Sequence, residues 1–291
     1  MRFPNIDLAI FLLPAALAMP TSSPRAAPAA IPPSASHIKH KRGIIMPLDD
    51  SNTNDKTYYV KAFTHESTPK IKWTANFWSG RPEGLDASIH YIPQRYNVAP
   101  DQYWVQNAET AIENGTGHFF SFGEPGLTAT VPFDGQIGAN YWKQEMQNWT
   151  SEALVGAPCM LTSEQDFVWL EDFLAKCTGC PIGFIAIHWI NTLDAGGAPS
   201  SITNFKQIVA RAIGIAQKLN PPVKVWVDNI QASGAYEDTT AFLSGIIPYL
   251  EHTEEVERYA YFGPTSGDPS SLLNADGTIS QLGRFFADFD S

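Results

Sequence analysis

The chain is short of cations, of cysteine and of long apolar runs, and each shortage closes off a class of function. Its 291 residues hold 19 Lys and Arg against 30 Asp and Glu, a formal charge of −11. Residues 1–42 run the other way, with five cations and one acid, so residues 43–291 carry −15. A domain that acidic repels nucleic acid and anionic membrane, and neither is expected as a partner. Apart from one N-terminal run, no stretch approaches a membrane span. There are only three cysteines. Cys177 and Cys180 make a single CxxC, and no second CxxC or His pair completes a metal cage, so no metal is expected. No strand candidate is followed by G-x-G-x-x-G or a P-loop, so a nucleotide-binding fold loses support. No organic cofactor is expected.

What is present begins with an address. Leu8 to Ala18, "LAIFLLPAALA", is apolar, too short to cross a bilayer, and ends in an A-x-A cleavage pattern. Residues 1–18 read as a signal peptide, with the product secreted to the cell exterior or wall. The competing reading, a buried first helix, meets Pro4 and Pro14. Residues 19–42 are rich in Pro, Ala and Ser and read as a linker or pro-segment. They end on Lys41-Arg42, either a dibasic processing site or two solvated charges before the first strand. Two N-x-S/T sequons, at Asn114 and Asn148, are candidate glycosylation sites on surface helix ends. In a secreted chain, Cys177 and Cys180 are expected to form a local disulfide, with Gly179 easing the tight loop. Cys159 is left over and reads as a small buried apolar residue.

Residues 43–291 alternate short apolar runs with segments of helical period. Eight runs read as strands: 43–48, 71–77, 88–94, 118–123, 154–160, 183–189, 224–230 and 258–263. Six segments read as helices: 102–114, 137–149, 164–175, 202–219, 239–250 and 280–289. In the third, Phe167, Leu170, Phe173 and Leu174 share one face. Eight near-continuous apolar strands interleaved with helices predict a single (β/α)8 TIM barrel of the α/β class. An open doubly wound sheet is the alternative.

In such a barrel the chemistry sits at the C-terminal strand ends. Those ends offer Trp78, Tyr91, Gln94, Arg95, Glu124, His188, Trp189, Asp228, Asn229 and Tyr261. Aromatics with amides and a carboxylate suit a sugar, which presents apolar faces and a rim of hydroxyls. Taken singly, Trp78 and Trp189 also read as barrel core, His188 as a satisfied core histidine, and Glu124 as a cap on the following turn.

Four motifs resemble one family. "HFFSFGEPG" is similar to its strand-four "GFNEPD". "GAPCM" and "FVWLEDFLAKCTGCPIGFIAIHW" are similar to "SPAV" and "WL..F…C..C.VDFIALHWY". "KVWVDNI" stands where it has "PIWVTEF". "VERYAYFG" and "LLNADGTISQLG" are similar to "VERYAWF" and "LL..DG.LTPLG". The chain thus resembles the alkali-sensitive-linkage-protein-like glycosyl hydrolases, glycoside hydrolase family 128, from about Lys41 to Phe289. The resemblance implies a secreted TIM barrel acting on β-1,3-glucan by a retaining mechanism. It places the acid/base on Glu124 and the nucleophile on Asn229, and agrees with a disulfide between Cys177 and Cys180.

The departures bear on chemistry. A neutral amide at 229 is a poor nucleophile and brings no charge to an oxocarbenium-like transition state. Asp228 is adjacent, but alternation turns neighbours to opposite faces unless a β-bulge re-aims them. Glu237 or Asp268 could instead act as a distant base. The amide the family has before its acid/base is Gly123 here. The expected function is β-1,3-glucan binding by a monomer with lost or impaired hydrolysis, platformed on Trp78, Tyr91, Gln94, Arg95, His188, Trp189 and Tyr261. The alternatives are an active glycosidase using Glu124 with Asp228, or a wall or surface protein with a vestigial groove.

Overall fold

The computed structural model describes residues 41–46, 63, 70–98, 101–125, 133–193, 197–263 and 269–290. The expected signal peptide, Asp268 and nearly all of the linker lie outside these residues. Eight parallel strands follow in order: β1 (Arg42–Ile45), β2 (Trp73–Ala75), β3 (His90–Tyr91), β4 (His118–Phe119), β5 (Leu154–Val155), β6 (Phe184–Thr192), β7 (Lys224–Ser233) and β8 (Val256–Phe262). Between and after them lie α1 (Trp104–Glu113), α2 (Gly135–Tyr141), α3 (Glu164–Lys176), α4 (Ala198–Ala216), α5 (Tyr236–His252) and α6 (Gln281–Asp288). The segment 142–149 extends α2 through a π turn and a 3-10 turn.

Six strands pair in the order β3-β2-β1-β8-β7-β6, and β4 pairs with β5. Parallel bridges Gln94–Phe120 and Gly156–Phe184 join the two sets, so every strand has both neighbours of a closed ring. This is the expected TIM barrel, and all eight strands and six helices fall where the apolar runs and helical periods placed them. α3 shows why. Ser163 and Asp166 form a reciprocal capping box at its start, and Phe167, Leu170 and Phe173 are its buried face.

Alternation along the strands separates two cores. The inner one fills the barrel floor with Trp73, Phe120, Phe184 and Trp226, the last two stacked at 4.5 Å. The outer one lies between strands and helices and takes Tyr91, Trp189, Tyr259 and Tyr261. Gly43 has no side chain because Trp73 fills its place: a Cβ there would lie 2.3 Å from the indole.

Two boundaries move. β1 starts on Arg42, which was expected to end the linker. Its guanidinium is buried and donates to Phe286 O and to the Tyr259 hydroxyl. Lys41 donates to Leu250 O and Thr253 O. The dibasic pair is thus built into the barrel floor. At the other end, β6 and β7 stay paired as far as Thr192 and Ser233, past the expected ends.

Candidate active site

Glu124 follows β4 and is the only non-glycine described residue with positive φ, 46°. That left-handed backbone is costly for a residue with a Cβ, and such strain concentrates at functional sites. Its amide donates to Cys159 O at 2.8 Å, fixing it to the end of β5. Its carboxylate meets His188, which points inward from β6.

His188 is the centre of the site. Its Nδ1 lies 2.9 Å from Glu124 Oε1, and its Nε2 lies 3.0 Å from Asp228 Oδ2. Burial opposes charge on this ring. Asp228 outweighs that, with hydrogen bonds to Asp228, Cys159 and Glu124, and the imidazole is held well above its usual pKa. Glu124 is the exposed end of this chain, at 18%, whereas Asp228 is at 5%.

Asp228 faces inward because β7 carries a bulge. The register with β6 pairs Ile187 with Val227 and then His188 with Asn229, skipping Asp228. Val227 and Ile230 both belong to the outer core, so the two residues between them share the inner side. The alternation that would have turned Asp228 away from Asn229 is broken here. Both side chains are buried, and both Asp228 Oδ1 and Asn229 Oδ1 lack a donor among the described residues.

Two groups that the sequence did not single out as site residues, Cys159 and Tyr96, complete the constellation together with Gln94, which it did. Cys159 is fully buried at the end of β5, and one donor atom each from Cys159, His188 and Asp228 lie within 4.8 Å of one another. Burial, then Asp228, pushes its thiol up to about 12, so it is no thiolate nucleophile near neutrality. Gln94 reaches it with Nε2 at 3.8 Å from Sγ. Tyr96 lies against Gly123, where a Cβ would come within 2.4 Å of its ring. The tyrosine therefore occupies the space that an asparagine at 123 would need. It also packs at a tilt against Phe77, with ring centroids 5.1 Å apart. Listing the end of the fifth strand beside the others would have found Cys159. Tyr96 sits two residues beyond Gln94 and carried no signal of its own.

Several expected platform residues are placed elsewhere. Trp189 and Tyr261 belong to the outer core by alternation: Trp189 stacks on Phe242 at 4.8 Å, and the Tyr261 hydroxyl donates to Ser270 O. Tyr91 also points outward, and its hydroxyl donates to Asn76 Oδ1 and Trp78 O, so it braces the end of β2. Arg95 donates to Asn97 O and approaches Glu145 at 3.8 Å. Gln94 and His188 remain in the mouth, and Trp78 stands exposed at 45%. A cleft of about 810 Å³ opens between α3 and α4, lined by Trp169, an edge of Trp189, Asn191 and Asn204 but not by Glu124 or Asp228. The Cys177–Cys180 disulfide is formed. Asn114 and Asn148 are both exposed at helix ends. No described helix is long and apolar enough to cross a membrane.

A TIM barrel with a strained glutamate at its fourth strand end, hydrogen-bonded to a buried histidine, has the scaffold and one of the two carboxyl groups that a glycoside hydrolase uses. The family model described as glycosyl hydrolase catalytic core matches residues 51–286, and the chain belongs to that family. It is 23% identical over 237 residues to alkali-sensitive linkage protein 1 of Schizosaccharomyces pombe, spanning 74% of this chain but only 40% of that protein. Among solved structures, a family 128 subgroup III curdlan-specific exo-β-1,3-glucanase from Blastomyces gilchristii, in complex with glucose, superposes with a TM-score of 0.72. It shares 25% identity, over 86% of this chain and 98% of that one. A family 128 subgroup I endo-β-1,3-glucanase from Amycolatopsis mediterranei, in complex with laminarihexaose, has a TM-score of 0.66 at 17% identity, covering 84% and 98%. The chain is thus similar to the glycoside hydrolases of family 128.

Proposed function

We propose that this protein is a secreted β-1,3-glucan-binding barrel in which retaining hydrolysis is lost or strongly reduced. The observation that carries this reading is the placement of the strand-seven acid. The motif resemblance puts Asn229 at the family's nucleophile position, and Asp228 is buried against His188. A retaining pair needs carboxyl groups about 5–5.5 Å apart with the anomeric carbon between them. The bonded oxygens of Glu124 and Asp228 are instead separated by an imidazole ring and a hydrogen bond on each side. With the ring lying between those two oxygens, neither a sugar carbon nor the water of an inverting enzyme fits on the line between them. Glucan as the ligand rests on the family and on the β-1,3-glucanases whose barrels superpose. Secretion rests on the N-terminal leader pattern.

One observation favours a second reading, an active glycosidase: the bulge does turn Asp228 inward. Two measurements separate the two. Wild-type protein is expected to be retained on curdlan while releasing no reducing ends from it. Asn229→Glu is expected to gain hydrolysis, and Asn229→Glu with Glu124→Gln to lose it again. Reducing-end release by the wild type, abolished by Glu124→Gln, would establish the active enzyme. Neither retention nor hydrolysis would leave the mouth as a vestige of the family.

A further inference from the structure

We infer that the floor of the mouth is a divalent transition-metal site of the zinc type, held by Cys159, His188 and Asp228. The inference does not depend on the glucan reading. The three side chains come from β6, β7 and the segment after β5, and present sulfur, nitrogen and oxygen donors within 4.8 Å of one another. That is the mixed donor set zinc accepts, with three protein ligands and a fourth position left over. The 3.0 Å between His188 Nε2 and Asp228 Oδ2 matches two ligands meeting on one small ion as well as it matches a hydrogen bond.

Two further features point to a cation. Asp228 Oδ1 and Asn229 Oδ1 are buried acceptors with no donor among the described residues. Leaving such atoms unpaired is costly, and a cation supplies what both lack. Asn229 is the register partner of His188 and its amide oxygen is unpaired among the described residues, which makes it the candidate for the fourth position. The other ring nitrogen of His188 faces Glu124 at 2.9 Å. Metal-bound histidines almost always give their second N–H to a carboxylate, which fixes the tautomer and ring plane. Glu124 is in place to accept it. The ion would replace the Nε2 proton and the thiol proton, and one Zn²⁺ would balance the thiolate and the Asp228 carboxylate.

The test uses the full chain after exposure to a chelator. Titration with Co²⁺ is expected to saturate at one ion per chain and to produce a thiolate-to-cobalt charge-transfer band. Zn²⁺ should displace that ion and raise the melting temperature by several degrees, as a ligand of the native state does. Cys159→Ser, checked for its fold by circular dichroism, should lose the band and most of the affinity. Should that variant fail to fold, the wild-type band decides alone. No stoichiometric ion in the wild type, cobalt without a thiolate band, or equal binding by Cys159→Ser would each overturn the site. None of these readouts involves glucan, so a failed glucan assay leaves the outcome intact.

Discussion

His188 holds a charge that burial alone would remove, and this has a consequence for stability. Desolvation opposes the imidazolium, while Asp228, Cys159 and Glu124 favour it and leave the folded value well above the usual one. In the unfolded chain the ring titrates near ~6.5. A group raised on folding contributes stability that is fully present below the unfolded value and is lost as pH climbs through the folded one. The metal-free protein is therefore expected to lose stability as the pH rises above about 6.5. Cys159 adds a loss of the same sign, but only above its unfolded value near ~8.5, and His90 and His118, lowered by burial, act with the opposite sign mainly below ~6.5, so His188 dominates the window between. His188→Gln should flatten the melting profile in that window. It should also cost about 3–5 kcal/mol at pH 6, because it leaves buried Asp228 without its cation. Parallel alkaline limbs for the two proteins would show that His188 is neutral in the fold.

Between elements, the informative contact is that of Tyr96, beyond β3, with Gly123, beyond β4. The family's amide has no room at 123 while the tyrosine ring lies 2.4 Å from the missing Cβ. Gly123→Asn is expected to destabilise by about 1–3 kcal/mol through overpacking. Adding Tyr96→Ala should recover part of that loss, since residues in contact couple by about 0.5–3 kcal/mol. Additive losses in chemical denaturation would mean that the two do not compete for the same space. The same pair marks the limit of what a linear reading reaches. The strands were legible because barrel strands are buried on both faces and read as apolar runs. Glu124 and His188 were legible because they end such runs. Inward and outward were then confused at two kinds of place: one where alternation was not applied, and one where a bulge breaks it. Trp189, Tyr91 and Tyr261 each sit one residue off an inward position and so pack against helices. Asp228 was set aside by parity and restored by a bulge, and a bulge is a property of pairing between strands that no single segment displays.

At the scale of the whole molecule, the barrel is closed by its first strand, and the residue that does so is Arg42. Its guanidinium crosses the chain to donate to Phe286 O in α6 and to the Tyr259 hydroxyl on β8, and it faces the Phe286 ring at 5.5 Å. Glu251 stands 3.5 Å away. Lys41 beside it donates to the carbonyls at the end of α5. A dibasic pair that looks like a cleavage signal in the sequence is thus the seam between the two ends of the fold. A protease must bind several residues in extended form around the bond it cuts, and here those residues are already strand β1, paired on both sides with β2 and β8. Cleavage after Arg42 should then require opening of the barrel. Trypsin under native conditions is expected to leave the Arg42–Gly43 bond intact, with cutting there rising only as denaturant approaches the unfolding midpoint, so that proteolysis tracks the open population. Arg42→Ala should cost about 3–5 kcal/mol, because Phe286 O and Ala287 O lose their buried donor and the Tyr259–Glu251 pair loses its cation. In that variant the same region should be cut at lower denaturant. Rapid native cleavage after Arg42 in the wild type, with the remaining barrel still melting cooperatively at the same temperature, would show that residues 41 and 42 are a removable leader and that the ring is held shut by other contacts.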